Sequence, residues 1–475
     1  MSCNGWNASS TTSSLRLENR DDPAMTEETI QQSTPAPDGG YGWICVAAQF
    51  LINGFTWGVA AVRPPYHHRF LFFSIRTETS ISKDKISFVL TPPLTAASSP
   101  TVEARPLDYA FIGGFNFTFA LLVAPLATFL ARRHGVRAPM FVGVVLLPVG
   151  FLAASFAQRV WHLYLTQGLC VGLGIGLVYI PATTVVPQWF AAKRSLANGI
   201  CAAGSGIGGL IVCFATQALL DRVGYAWSLR ITAAAVLVVN LAATLLVRSR
   251  DEEIRPDPRV FHFGLVRRSY QVRLLLGWIF VLMFGYITLM FSLADYAEAA
   301  IGRSDQDAAT VPALLNLGAA LGRPLIGYAS DRLGRVEVAG FLTFACGVLV
   351  FGLWMPSTSY AALGVFATLS GAILGVIGAL AADIVGLKEL PAFLSVAWII
   401  VVPPCLCKLS PLNYWITQLN FLLSVAEVVA LALRRPSFGK RSYLYVQAFA
   451  GASYIISSFF LVELWRVRRR RANAS

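Results

Sequence analysis

The chain is 475 residues long, 56% apolar and only 13% charged, with a mean hydropathy of +0.61 and a formal net charge of +13. A soluble domain carries about 25% charged residues, so the composition excludes a soluble enzyme, a disordered chain and a secreted disulfide scaffold. One helical membrane span takes about 20 apolar residues, and lipid forces backbone polar groups to pair internally, which leaves an all-α polytopic membrane protein.

Residues 1–37 are polar and rich in Ser and Thr, with no early apolar core, and read as a disordered cytoplasmic tail without a cleavable signal. Apolar runs follow at about 41–62, 107–130, 138–156, 163–185, 197–219 and 231–247. A polar stretch, 248–273, reads as a cytoplasmic loop between two bundles. The second set of runs lies at about 274–297, 311–328, 336–355 and 361–385, then from about 391 with an interruption at Pro403 and Pro404, and finally 443–465. A basic tail, 466–475, closes the chain. The pattern gives 12 spans in two sets of six, 38–247 and 274–465.

The positive charge is not a nucleic-acid footprint. It sits in short clusters between spans, as at Arg132, Arg133 and Arg137, or after the last one, which is how the positive-inside rule appears. Lys and Arg in alternating loops place the amino terminus in the cytoplasm by a modest margin. Most of the eight cysteines lie within apolar runs, where cysteine behaves as a small hydrophobe, and Cys405 and Cys407 form a lone pair without a second ligand pair. The five histidines have no ligand spacing, and no Ser/His/Asp or Cys/His arrangement is present. No enzyme activity, cofactor or metal is therefore expected. Gly204, Gly206 and Gly209 fit a G-x-G-x-x-G pattern, but inside a span and without a preceding strand it reads as close helix packing. Asp383 and Glu463, at span ends, read as interfacial charges.

The sharpest motif is Gly327-Tyr328-Ala329-Ser330-Asp331-Arg332-Leu333-Gly334-Arg335, which joins the eighth run to the ninth. Gly327 and Gly334 permit close packing and a tight turn, and Asp331 can pair with an Arg or sit at a helix amino terminus. Arg332 and Arg335 complete a charged cluster able to latch one gate state. Arg323, one or two turns earlier, is a cation inside an apolar run. It either faces a cavity with a partner or snorkels to the membrane surface. Facing a cavity, its guanidinium could hold a carboxylate by two parallel hydrogen bonds. Asn53, Asn116 and Asn316 are polar groups in apolar runs, each a substrate contact or an interhelical hydrogen bond.

The motif around Asp331 resembles the signature loop of the major facilitator superfamily. A degraded copy, without the Asp, stands between the second and third runs at Arg132 to Arg137. Asp38-Gly39-Gly40-Tyr41-Gly42-Trp43 is similar to the opening of helix one in the monocarboxylate porter branch, and Asp108-Tyr109, Asp295-Tyr296 and Gly322-Arg323-Pro324 fit its fungal-type members. The resemblance implies a major facilitator fold, with 12 helices in two six-helix bundles, and a secondary transporter working by alternating access with a midplane site. It implies Arg323 as the contact for a monocarboxylate-like anion and proton-coupled symport at the plasma membrane. Partners would be a small-molecule substrate and the lipid bilayer, with no nucleic acid. Two departures weigh against lactate and against proton coupling: Ala319 stands where the branch has an Asp, and Ala61 where it has a Lys. Efflux of a secondary metabolite, uptake of a vitamin-like solute, and a transport-inactive receptor or scaffold are the alternatives.

Two segments break the pattern. Residues 63–105 lack periodicity where a short loop is expected, and 404–423 interrupt the eleventh run. Both are expected to be translated introns or gene-model errors.

Overall fold

The computed structural model describes residues 36–59, 106–257, 259–302, 305–357, 359–373, 377–405 and 443–473. The anomalous stretch 63–105 and Ala61 lie outside them, as does most of 404–423. All regular structure among the described residues is helical.

Helix α1 (Gly42–Asn53) continues as a π turn over Gly54–Gly58. Helices α2 (Pro106–Leu122) and α3 (Ala124–His134) share the second apolar run, broken only by a turn at Val123. Helix α4 (Arg137–Ala154) follows Gly135, whose φ of 83° is the left-handed turn that the degraded signature keeps its glycine for. Helix α5 (Val171–Trp189) is approached through Val160–Leu163 and a π stretch at Tyr164–Cys170. Helix α6 (Arg194–Leu246) carries the fifth and sixth runs as two arms that break at Gly224.

The polar stretch after it is not a bare loop. It forms two short helices, Asp251–Ile254 and Phe263–Arg268, and its residues find partners on α5 and on the turn at Lys388 and Glu389. Helix α7 (Tyr270–Ala299) starts at Ser269, whose hydroxyl accepts the Val272 amide. Next come α8 (Asp305–Leu333), α9 (Arg335–Leu349) with a π turn at Val350–Trp354, α10 (Tyr360–Ile373) and α11 (Ile377–Val385). Helix α12 (Leu390–Cys405) runs through Pro403 and Pro404 instead of ending before them, and α13 (Leu444–Ala472) closes the bundle.

Eight of these helical stretches are long and apolar enough to cross a membrane. The described parts of the remaining four runs are also helical, and that of the eighth, in α8, carries Asn316 and Arg323. The burial pattern is that of a protein in lipid. Phe214, Leu325 and Phe341 are 70% or more exposed, whereas Asn240, Thr244 and Ser330 are 0% exposed. Apolar side chains form the outer belt and polar ones face other helices, the inverse of a soluble fold.

Small residues let the central helices approach at backbone distance. A Cβ on Gly204 or Gly208 of α6 would strike the α1 backbone at Phe50 or Gly54. On the same helix, Gly199 and Gly206 lie against the α8 backbone at Arg323 and Asn316. Helix α6 is therefore clamped between α1 and α8, and this brings Asn53, Arg323 and the signature motif together.

Candidate functional site

Two features stand out, a charged cluster at one end of the α6–α8 pair and a cavity further along it. The cluster begins with Asp331. Its carboxylate accepts the backbone amides of Ser195 at 2.9 Å and Leu196 at 2.8 Å, so a residue of α8 caps the amino terminus of α6 from 136 positions away. Anions are favoured there because the first amides of a helix have no internal partner. Arg335 holds Asp331 through Nε at 3.0 Å and Nη2 at 2.9 Å, and its Nη1 reaches Asp383 of α11 at 2.5 Å. Arg194, the first residue of α6, donates to the same Asp383 oxygen at 2.6 Å. Two carboxylates and two guanidiniums thus form a closed neutral set whose side chains are 9–18% exposed.

Gly327 makes the approach possible, since a Cβ there would strike the Ser195 backbone, and Gly334 takes a φ of 104° between α8 and α9. Arg332 stands apart, exposed and stacked 4.4 Å over the Tyr328 ring. Asp38 adds a similar cap on the neighbouring turn, accepting the amides of Ala191 at 2.7 Å and Ala192 at 2.9 Å.

The polar stretch 248–273 packs beside this end. Gln188 bonds Asp251 at 2.9 Å and accepts the Arg250 amide at 2.8 Å. His262 meets Glu389 at 2.9 Å, and the Asp257 amide donates to the Lys388 carbonyl. Burial pushes the Asp251 carboxyl above its ordinary value, against the hydrogen bonds from Gln188 and Ser249 that lower it. Arg137 of the degraded signature donates to the last carbonyls of α6, at Val247 and Leu245.

The cavity, of about 240 Å³, lies among α1, α5, α6, α7, α8, α9, α10 and α12. Its polar wall is made by Gln49, Asn53, Asn198 and Arg323, and its aromatic wall by Tyr179, Trp278, Tyr286 and Trp398. No carboxylate is among the described residues that line it. Arg323 does not snorkel. Its Nη1 turns toward α6 and donates to the Ala202 carbonyl at 2.8 Å and the Ser205 hydroxyl at 3.1 Å, and its Nε is buried without a partner among the described residues. Asn53 donates to the carbonyls of Gln49 and Cys201, tying α1 to α6 while lining the cavity.

The sequence-derived residues therefore separate. Arg323 and Asn53 share the cavity. Asn116 donates to the Gln167 carbonyl at 2.9 Å, and Asn316 lies at the α6–α8 contact opposite Gly206; neither is among the lining residues. Gly327, Asp331, Gly334 and Arg335 build the charged cluster, and Arg332 does not join it. Asp383, read from the sequence as an interfacial charge, is instead bound by two arginines. Sequence reasoning missed Gln49, Tyr179 and Trp398. The only sequence signal was an amide within an apolar run, the same signal that singled out Asn53.

A helical bundle with an apolar outer belt, a polar-lined cavity and an ion-paired end is the architecture of a multi-pass membrane protein. Residues 70–401 match the Major Facilitator Superfamily. The chain is 29% identical over 448 residues to the "Probable transporter MCH2" of Saccharomyces cerevisiae, covering 93% of this chain and 85% of that protein. It is 28% identical over 330 residues to the "Fujikurins efflux protein" of Gibberella fujikuroi, covering 67% and 69%. Among solved structures it resembles the human organic anion transporter MFSD10 with a TM-score of 0.61 at 13% identity, covering 90% and 99%. The chain belongs to the Major Facilitator Superfamily: it is an integral multi-pass membrane transporter and not an enzyme.

Proposed function

We propose that this transporter carries a small organic anion with a flat apolar body, by alternating access between two bundles spanning 38–247 and 274–465. The observation that supports this most is Arg323, a fixed cation in the wall of a cavity with no carboxylate among its described lining residues. A cation in a desolvated site without a charge partner favours an anionic ligand, which supplies the missing charge. The volume is below the about 300–1,000 Å³ of drug-sized sites, which fits a small solute. Tyr179 and Trp398, with ring centroids 6.2 Å apart, offer an aromatic surface to its apolar part. Asn53 is the second contact, and Asn116 and Asn316 serve helix association.

The cluster of Asp331, Arg335, Asp383 and Arg194 is the gate on the cytoplasmic side. It holds α6 to α8 and α11 while that side is closed, and the plasma membrane is the membrane served. Proton coupling through a cavity carboxylate finds no support, since Ala319 is buried where the monocarboxylate porters carry an Asp. The efflux proteins among the relatives favour outward movement of a metabolite over uptake of lactate.

The test is binding to the purified full chain by calorimetry with a charged and neutral pair of equal shape, 3-phenylpropanoate and 3-phenylpropanol, since the alcohol crosses lipid unaided. The anion is expected to bind at least about tenfold more tightly. Equal binding of both, or of neither, removes the anion reading.

A further inference from the structure

Gln49 is 2% exposed and lines the cavity, and neither its side-chain nitrogen nor its oxygen has a hydrogen-bond partner among the described residues. Buried amides are almost always paired, and an unpaired one costs stability, so this one calls for an explanation. Its neighbour one turn on, Asn53, is already engaged with the Gln49 and Cys201 carbonyls. Arg323 donates to the very next carbonyl, at Ala202. Asn53 and Arg323 therefore hold adjacent carbonyls of α6, one from α1 and the other from α8, and Gln49 lies one turn before Asn53 on the same cavity. Two further buried donors at the same cavity are unpaired among the described residues, Arg323 Nε and Trp398 Nε1.

From this we infer that the transported anion carries an amide, and that Gln49 reads it. This rests on the anion reading above and narrows it. A carboxamide offers one acceptor and two donors. Its best complement is a primary carboxamide, whose N–H on the carbonyl side donates to Gln49 Oε1 while its carbonyl accepts from Nε2. A hydroxyl fills only part of that set, and an apolar chain leaves both atoms stranded. The substrate class is an aromatic carboxylate bearing an amide. Its carboxylate lies on Arg323, its ring on the surface of Tyr179 and Trp398, and its amide on Gln49.

The experiment measures binding to the purified full chain by calorimetry, with two probes that share a ring and a carboxylate, 3-(4-carbamoylphenyl)propanoate and 3-phenylpropanoate. Wild type is expected to bind the amide-bearing probe at least about tenfold more tightly, because a site built for a polar group strongly rejects the analogue lacking it. Gln49→Met, close in shape, is expected to bring that ratio to about one, weakening the amide-bearing probe and relieving the penalty on 3-phenylpropanoate. It is also expected to raise the Tm of the ligand-free protein, because an unpaired buried amide has gone; a merely structural Gln49 would lower it. Gln49→Asn, which withdraws the amide by one methylene, is expected to give an intermediate ratio. A wild-type ratio near one, with binding still lost in Arg323→Ala, overturns the amide inference and leaves the anion reading standing. A ratio unchanged in Gln49→Met, or a lower Tm, also overturns it. Binding of neither probe overturns both.

Discussion

Replacing Asp331 by Asn is the sharpest test of the charged cluster. The substitution keeps size and one acceptor oxygen. It removes the charge that pairs with Arg335 and leaves one of the Ser195 and Leu196 amides without its carboxylate oxygen. A hydrogen bond to a charged group contributes about 1.5–3 kcal/mol, and an N-cap side chain about 1 kcal/mol. Asp331 is 9% exposed at its side chain, so solvent screens little of this. Arg335 keeps Asp383, which limits the loss. The latched arrangement should weaken by about 2–3 kcal/mol, on the order of 30–150-fold in the latch equilibrium at 1.4 kcal/mol per decade.

Ser330 is a suitable reporter. It is 0% exposed, and its hydroxyl has no hydrogen-bond partner among the described residues, so Ser330→Cys disturbs little. In a background without the native cysteines, alkylation of Cys at that position by a water-soluble maleimide reads opening of this end. Asp331→Asn should speed it by the same factor. An unchanged rate would refute the assignment of the cluster as a latch.

Other substitutions separate the parts of the account. Arg332→Ala should leave the same alkylation rate and the Tm nearly unchanged, since the side chain is exposed and outside the cluster. Asp38→Ala should cost about 1–2 kcal/mol, seen as a lower Tm, because the Ala191 and Ala192 amides lose their acceptor. Gly204→Val should prevent assembly of a monodisperse protein, seen by size-exclusion chromatography, because its Cβ would meet the Phe50 backbone and not a movable side-chain tip. Arg323→Lys should retain weak anion binding and lose the bidentate geometry, a loss of about tenfold or more in affinity by titration.

The helices were legible because lipid leaves little choice. An apolar run of sufficient length must satisfy its own backbone, so each run became helix wherever it is described. Arg323 was legible for the same reason, as a lone cation in an apolar stretch. What escaped were relations between distant positions. Nothing near Asp383 announces that Arg194, 189 residues away, will bind it. Asp331 was recognised as a candidate cap, but the amides it caps lie on another helix. Gln49 was passed over and Asn53 was noted, although both are amides one turn apart. Only packing shows that both line the cavity, and that the Asn53 nitrogen is engaged by the Gln49 and Cys201 carbonyls while the Gln49 amide has no partner among the described residues. Asn116 and Asn316 carry the same local signal as Asn53 and are placed away from the cavity by the close α2 and α8 contacts around them. The polar stretch 248–273 looked like a loop because its order comes from Gln188, Lys388 and Glu389 on other elements.

The central claim is that Arg323 holds an organic anion during transport, and uptake of labelled 3-phenylpropanoate into proteoliposomes of wild type and Arg323→Ala tests it most directly. The account predicts uptake by wild type and a loss of at least about tenfold in Arg323→Ala, with both proteins equally folded by Tm. Equal uptake by the two, or none by wild type, would contradict it.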